Sequence, residues 1–162
     1  MSSKVVLLSA EIKKPMNVSE TKMEGDTVYV FEDDFQMRFE STKGVFRWSI
    51  KKGYVSNCGS IPWIGQKVLR VKSYDPKKPL QNAFFFLHDD LYQKKGYGIF
   101  TRDDADALCR GGLREAGCSR FQASTIDFFL GIGAWGHWGD NAYKNFDFLS
   151  SLEKIGECGI LK

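Results

Sequence analysis

The chain has 162 residues, 43% hydrophobic and 14% aromatic, which suits one compact domain, or a core with a small appendage, and argues against a disordered chain. Lys and Arg total 23 against 20 Asp and Glu, and the basic residues fall in scattered pairs such as Lys13-Lys14, Lys51-Lys52 and Lys94-Lys95, so no basic face is legible and no nucleic-acid partner is expected. Cys58, Cys109, Cys118 and Cys158 lack any C-x-x-C pair, which argues against a zinc knuckle or a disulfide framework and makes a reducing compartment the default.

The opening apolar run Val5-Val6-Leu7-Leu8 is too short for a signal peptide, and no stretch reaches the roughly 18 apolar residues of a membrane span. From Val5 to about Lys52, short β-branched and aromatic runs alternate with turn residues, which predicts an antiparallel meander. Its strands are Asp26 to Phe31, Phe35 to Glu40 with apolar and polar residues alternating at period two, and Val45 to Ile50 as a hairpin partner. Residues 53–72, with Gly53, Gly59, Pro62 and Gly65, predict a shaped loop whose backbone is open to a ligand or which simply connects a strand to a helix. Ser73 to Pro79 reads as a surface loop and the best candidate linker.

From Leu80 the pattern is helical. The first helix carries Phe84, Leu87, His88 and Leu91 on one buried stripe with Tyr92 a turn after His88, while Asp89 sits at the stripe's edge and Asp90 turns toward solvent. Lys95-Gly96 ends it. Thr101 predicts the N-cap of a second helix, with Asp104 as its capping-box partner and Asp106 on or beside the packed face. A third runs from about Arg120 to Leu130, followed by the glycine and tryptophan segment Gly131 to Gly139. Tyr143, Phe146, Leu149 and Leu152 predict an amphipathic tail helix within residues 140–162. The expected fold is thus α+β in a single domain: an N-terminal antiparallel sheet, a glycine-rich loop, and a three-helix bundle over 80–138 with an aromatic C-terminal appendage.

Only His88 and His137 are present, so H-E-x-x-H and multi-histidine metal sites are excluded, and G-x-S-x-G is absent. The chemistry that these residues support is a buried His88 acting as general base on water, with Asp106 on its other ring nitrogen to fix the tautomer. Asp89 is placed to hold a hard cation such as Ca²⁺ with backbone carbonyls around Cys58 and Gly59. Against this stands the commoner fate of one histidine on an apolar helix face, a satisfied core residue, with Asp106 bonded instead to a backbone amide or to Arg110 and Tyr92 in ordinary core packing. Cys58 is a further candidate nucleophile, although nothing near it in sequence lowers a thiol pKa.

The ordered set Ser60-Ile61-Pro62, then Leu87-His88-Asp89-Asp90-Leu91-Tyr92, then Thr101-Arg102 with Ala105-Asp106, resembles a phage and prophage domain family of unknown function. That family's pattern is T-D-x-A-S-I-P, L-H-D-x-L-Y and S-R-x-x-A-D, and here Asn57 stands in place of its first Asp. More distantly, the set is similar to a secreted phospholipase A2 site, with Leu91 in place of a disulfide cysteine. This second resemblance implies His88 as base, Asp106 as its orienter, Tyr92 in support, and Ca²⁺ on Asp89 beside the loop of Cys58 and Gly59. It also implies a phospholipid or similar ester as substrate, with Trp63 and Phe84 lining an acyl channel. The phage resemblance implies a place in the virion or host cytoplasm. The alternative is a non-enzymatic virion or tail component, or a host-factor binder, in which the His-Asp-Tyr group is structural.

Overall fold

The computed structural model describes residues 4–58, 63–133, 138–139, 145 and 147–159. These divide into two compact units, Met1–Lys4 with Cys58–Asp140, and Val5–Asn57 with Asn141–Lys162. The α+β class holds.

The second unit carries the strands β1 (Leu7–Lys14), β2 (Val18–Met23), β3 (Asp26–Phe31), β4 (Phe35–Ser41), β5 (Gly44–Ile50), β6 (Val55–Ser56) and β7 (Ser150–Gly156). They form two antiparallel sheets, ordered β1-β4-β5-β7 and β2-β3-β6. The β4–β5 hairpin follows the predicted alternation, with Phe35, Met37 and Phe39 buried opposite Ile50, Trp48 and Phe46. The meander does not continue from β3 into β4. Instead the N–H of Phe31 donates to the Tyr54 carbonyl at 2.9 Å and its own carbonyl accepts from Gly53 at 2.8 Å, which commits β3 to the other sheet. Phe31 packs on Phe35 and edge-on against Tyr54, and Phe35 edge-on against Trp48, so one aromatic core serves both sheets.

The predicted tail helix is replaced by β7. Leu152 falls opposite Trp48, and Glu153 falls opposite Arg47, with which it makes a 3.2 Å ion pair. The open edge of β5 is thus paired, an option invisible to a local helical pattern. Tyr143 and Phe146 lie outside the described residues, while the Asn145 amide bonds both the N–H and the carbonyl of Val55, at 3.0 and 2.8 Å.

The first unit holds α1 (Trp63–Leu69), α2 (Pro79–Gln93), α3 (Arg102–Glu115) and α4 (Arg120–Gly133). The predicted loop over 53–72 therefore contains β6 and the short helix α1. The candidate linker lies inside this unit: the Asn82 side chain receives the Asp75 N–H at 3.0 Å and donates to its carbonyl at 2.7 Å, tying the loop to the start of α2.

Helix α2 is the axis of the unit, buried almost all round because Phe84, Phe85, Phe86 and Leu87 leave no polar face. Asp90 is buried as well, contrary to the solvent-facing position predicted for it. Gly96 and Tyr97 take left-handed backbone conformations in a 3-10 turn over Lys95–Gly98, and this brings the Tyr97 hydroxyl back to donate to Asp90 Oδ2. Helix α3 opens as predicted: Thr101 Oγ1 accepts from the Asp104 N–H at 3.1 Å and Asp104 Oδ2 accepts from the Thr101 N–H at 2.9 Å. Thr101→Ala is expected to lower unfolding stability by about 1 kcal/mol in urea titrations.

Candidate functional site

Helices α2 and α3 bring three of the predicted residues together. His88 Nε2 lies 2.7 Å from Asp106 Oδ1, and the Tyr92 hydroxyl donates to the same oxygen at 2.7 Å. His88 and Tyr92, one turn apart on α2, also have ring centroids 4.4 Å apart, and Trp138 sits edge-on to Tyr92 at 5.0 Å. His88 is only 5% exposed. The alternative partner of Asp106 is engaged elsewhere, since Arg110 pairs with Asp127 on α4 at 2.6 Å.

Burial works against the Asp106 carboxylate, but the hydrogen bonds from His88 and Tyr92 and the charges of His88 and Arg102 outweigh it, so its pKa is lowered. An ionised Asp106 that already accepts the Tyr92 proton needs Nε2–H from His88. In neutral His88 the lone pair is therefore on Nδ1, and any base chemistry runs through that atom. Burial, followed by the bond to Asp106 and its negative charge, pushes the Tyr92 hydroxyl well above the ordinary phenol range, so Tyr92 remains a donor.

The sign of the Asp106 shift sets a pH dependence. The folded carboxylate titrates below its unfolded value, so its stabilisation is complete above the ordinary carboxylate range and is lost as pH falls through the folded pKa. Thermal melts should show wild type losing more stability than Asp106→Asn between about pH 5 and about pH 3. Equal slopes would remove Asp106 from the acid response.

Arg102 was not assigned a role from sequence. It is the first residue of α3, one turn before Asp106; its charge helps to hold the Asp106 carboxylate ionised, and its bond to Tyr92 opposes the rise of that phenol's pKa. Its Nε is buried with no hydrogen-bond partner among the described residues. The signal was the Arg-x-x-x-Asp spacing within Thr101-Arg102 and Ala105-Asp106, which puts both side chains on one helix face.

The remaining predicted residues are placed as follows. Asp89 is half-buried, accepts from Gln93 Nε2 at 3.1 Å, and is near enough to Cys58 that its charge adds to the burial that pushes the Cys58 thiol well up. That direction disfavours the Cys58 thiolate as a nucleophile. The Cys58 thiol donates to the Ser73 carbonyl at 3.0 Å. Gly59 lies outside the described residues; Trp63 begins α1, and its side chain lies outside them too. Phe84 is fully buried, and its ring occupies the space over Gly112 of α3. Among the described residues no group of three or more His, Cys, Asp and Glu converges on a metal position. The Ca²⁺ expectation thus rests on Asp89 and backbone carbonyls.

Asp106 also lines an open cleft of about 320 Å³, together with Lys4, Asp103, Arg110, Asp127 and Phe128. Asp127 is pushed up by burial, with the Arg110 charge opposing and the Asp106 charge adding to the rise. One side of the Asp106 side chain thus faces the histidine and the other meets a solvent-open surface.

No described helix is long and apolar enough to cross a membrane. No curated protein and no solved structure matches the chain. A family model does match, over residues 31–128, a span that runs from the end of β3 into α4 and contains His88, Tyr92, Arg102 and Asp106 while leaving β1, β2 and β7 outside. On that match, which covers more than half of its length, the chain belongs to the family described as "Protein of unknown function (DUF1353)".

Proposed function

We propose that the protein is a hydrolase with a site resembling that of phospholipase A2, acting on a phospholipid or a similar ester. The observation that carries this reading is the shared oxygen of Asp106, which fixes His88 Nε2 at 2.7 Å and leaves Nδ1 as the basic atom. His88 Nδ1 takes a proton from water as the water oxygen attacks the ester carbonyl carbon; when the C–O bond breaks, His88 returns the proton to the leaving alcohol. Tyr92 holds Asp106 in place, and the Arg102 charge adds to the bonds from His88 and Tyr92 that favour its ionised form. Asp89 lies near enough to Cys58 for its charge to act on the thiol, and one carboxylate with backbone carbonyls is the donor chemistry that a hard cation takes. Bound there, Ca²⁺ would polarise the carbonyl under attack. The resemblance to phage proteins adds the setting, a phage-encoded enzyme carried in the virion or working in the host cytoplasm.

The test is release of fatty acid from mixed phospholipid vesicles, with Ca²⁺ and with chelator. Release that requires both Ca²⁺ and His88 supports the reading; no release under any condition sinks it. The 5% exposure of His88 favours one other reading, a structural network in a non-enzymatic virion component or host-factor binder. In that case His88→Ala and Asp106→Ala lower the melting temperature together and no ester is cleaved.

A further inference from the structure

Helix α4 is amphipathic in an unusual sense. Ala123, Ile126 and Leu130 are buried, as expected for its inner face, but the outer face carries Phe121 and Phe128 at 71% and 63% exposure. Seven residues apart, they lie on one line of the helix, roughly 10 Å from each other, with exposed Ser124 between them. No acid interrupts that line, because Asp127 beside it is drawn to Arg110. At the start of α4 the Gln122 amide donates to the Leu69 carbonyl at 2.9 Å, which sets the end of α1 beside Phe121. There Val68 is 72% exposed, and Lys67, Arg70 and Arg120 are exposed around it. At the other end Phe128 lines the cleft that reaches Asp106, where exposed Lys4 stands with Arg110 and the acids Asp103 and Asp127. Large apolar side chains rimmed by cations are the composition of a face that lies in a lipid interface, with rings among the acyl chains and cations at the headgroups.

We infer that the outer face of α4, with the end of α1, docks on an anionic lipid surface. The charge complementarity comes from Lys67, Arg70 and Arg120 at the Phe121 end, and the apolar contribution from Val68, Phe121 and Phe128; the Phe128 end, where Lys4 stands among Asp103, Asp106 and Asp127, adds no net positive charge. Docking this way sets the cleft beside Asp106 against the headgroup layer, and so gives the proposed hydrolase a route to an aggregated substrate. This deepens the hydrolase reading and rests on it for its purpose, but not for its test.

The full chain is sedimented with vesicles of phosphatidylglycerol or of phosphatidylcholine. Binding to phosphatidylglycerol that weakens with salt is expected, with at least about thirtyfold loss in Phe121→Ser/Phe128→Ser and about fivefold in Arg120→Ser. Melting temperatures should be unchanged, since none of these side chains is buried. His88→Ala should bind as wild type does, so docking can stand where hydrolysis fails. Equal binding by the double variant, no binding to either vesicle, or a wild-type dimer that the double variant dissociates would each overturn the inference. The last of these would make the face an interface between two copies of the chain.

Discussion

Replacing His88 by alanine should lower phospholipid hydrolysis by about 10²–10⁴-fold, the range that a positioned general base contributes. The alanine variant alone does not separate chemistry from folding, because it strips Asp106 of one of the two donors on Oδ1. His88→Gln does, since its amide N–H can still donate to Asp106 while offering no comparable base. Its melting temperature should stay closer to wild type than that of the alanine variant, with hydrolysis as low. Asp106→Asn provides the complementary test. Asparagine removes the charge that stabilises the imidazolium formed as Nδ1 takes a proton from water, and an amide turned to donate to Nε2 would also place the imidazole proton on Nδ1, so the rate should fall by a similar factor in a folded protein. Fatty-acid release measured beside melting temperature distinguishes these outcomes. A His88→Gln protein that hydrolyses phospholipid at the wild-type rate would refute the role of His88 as base.

The parts of this arrangement that were legible in the sequence are those set by local geometry. Period-two alternation in Phe35 to Glu40 located β4 and its hairpin, and Thr101 with Asp104 located the start of α3 through backbone bonds that span only three residues. The stripe that turned His88 inward was also local. What escaped depends on chain returns. Asp90 is buried because a left-handed turn at Gly96 and Tyr97 delivers a hydroxyl to it, and stripe arguments fail on a helix as fully enclosed as α2. The tail became β7 because β5 had an open edge, which Leu149 and Leu152 alone could not reveal. Arg102 reads in sequence as an exposed first-turn cation, and only the fold sets it beside Tyr92 and Asp106.

Gly112→Ala should destabilise the protein by about 3 kcal/mol, although alanine in a helix interior is normally favoured over glycine by about 1 kcal/mol. A Cβ built at Gly112 would overlap Cγ, Cδ1 and Cδ2 of the Phe84 ring, which is fully buried and has no free side to move toward. The conflict must therefore be relieved by moving α3 away from α2 or by forcing Phe84 from its rotamer, and either outcome costs packing on a helix whose neighbours are also buried. Phe84 stands one turn before His88, and Gly112 lies between one and two turns after Asp106, so a shift at this contact also lengthens the 2.7 Å approach of His88 to Asp106. Urea unfolding of Gly112→Ala, Phe84→Leu and the double variant forms the check. The expected result is strong coupling, with Phe84→Leu costing less in the Gly112→Ala background than in wild type, since the smaller side chain makes room for the methyl group. A Gly112→Ala protein as stable as wild type would show that helix propensity outweighs the overlap, and the close approach of α2 and α3 would then not depend on that glycine.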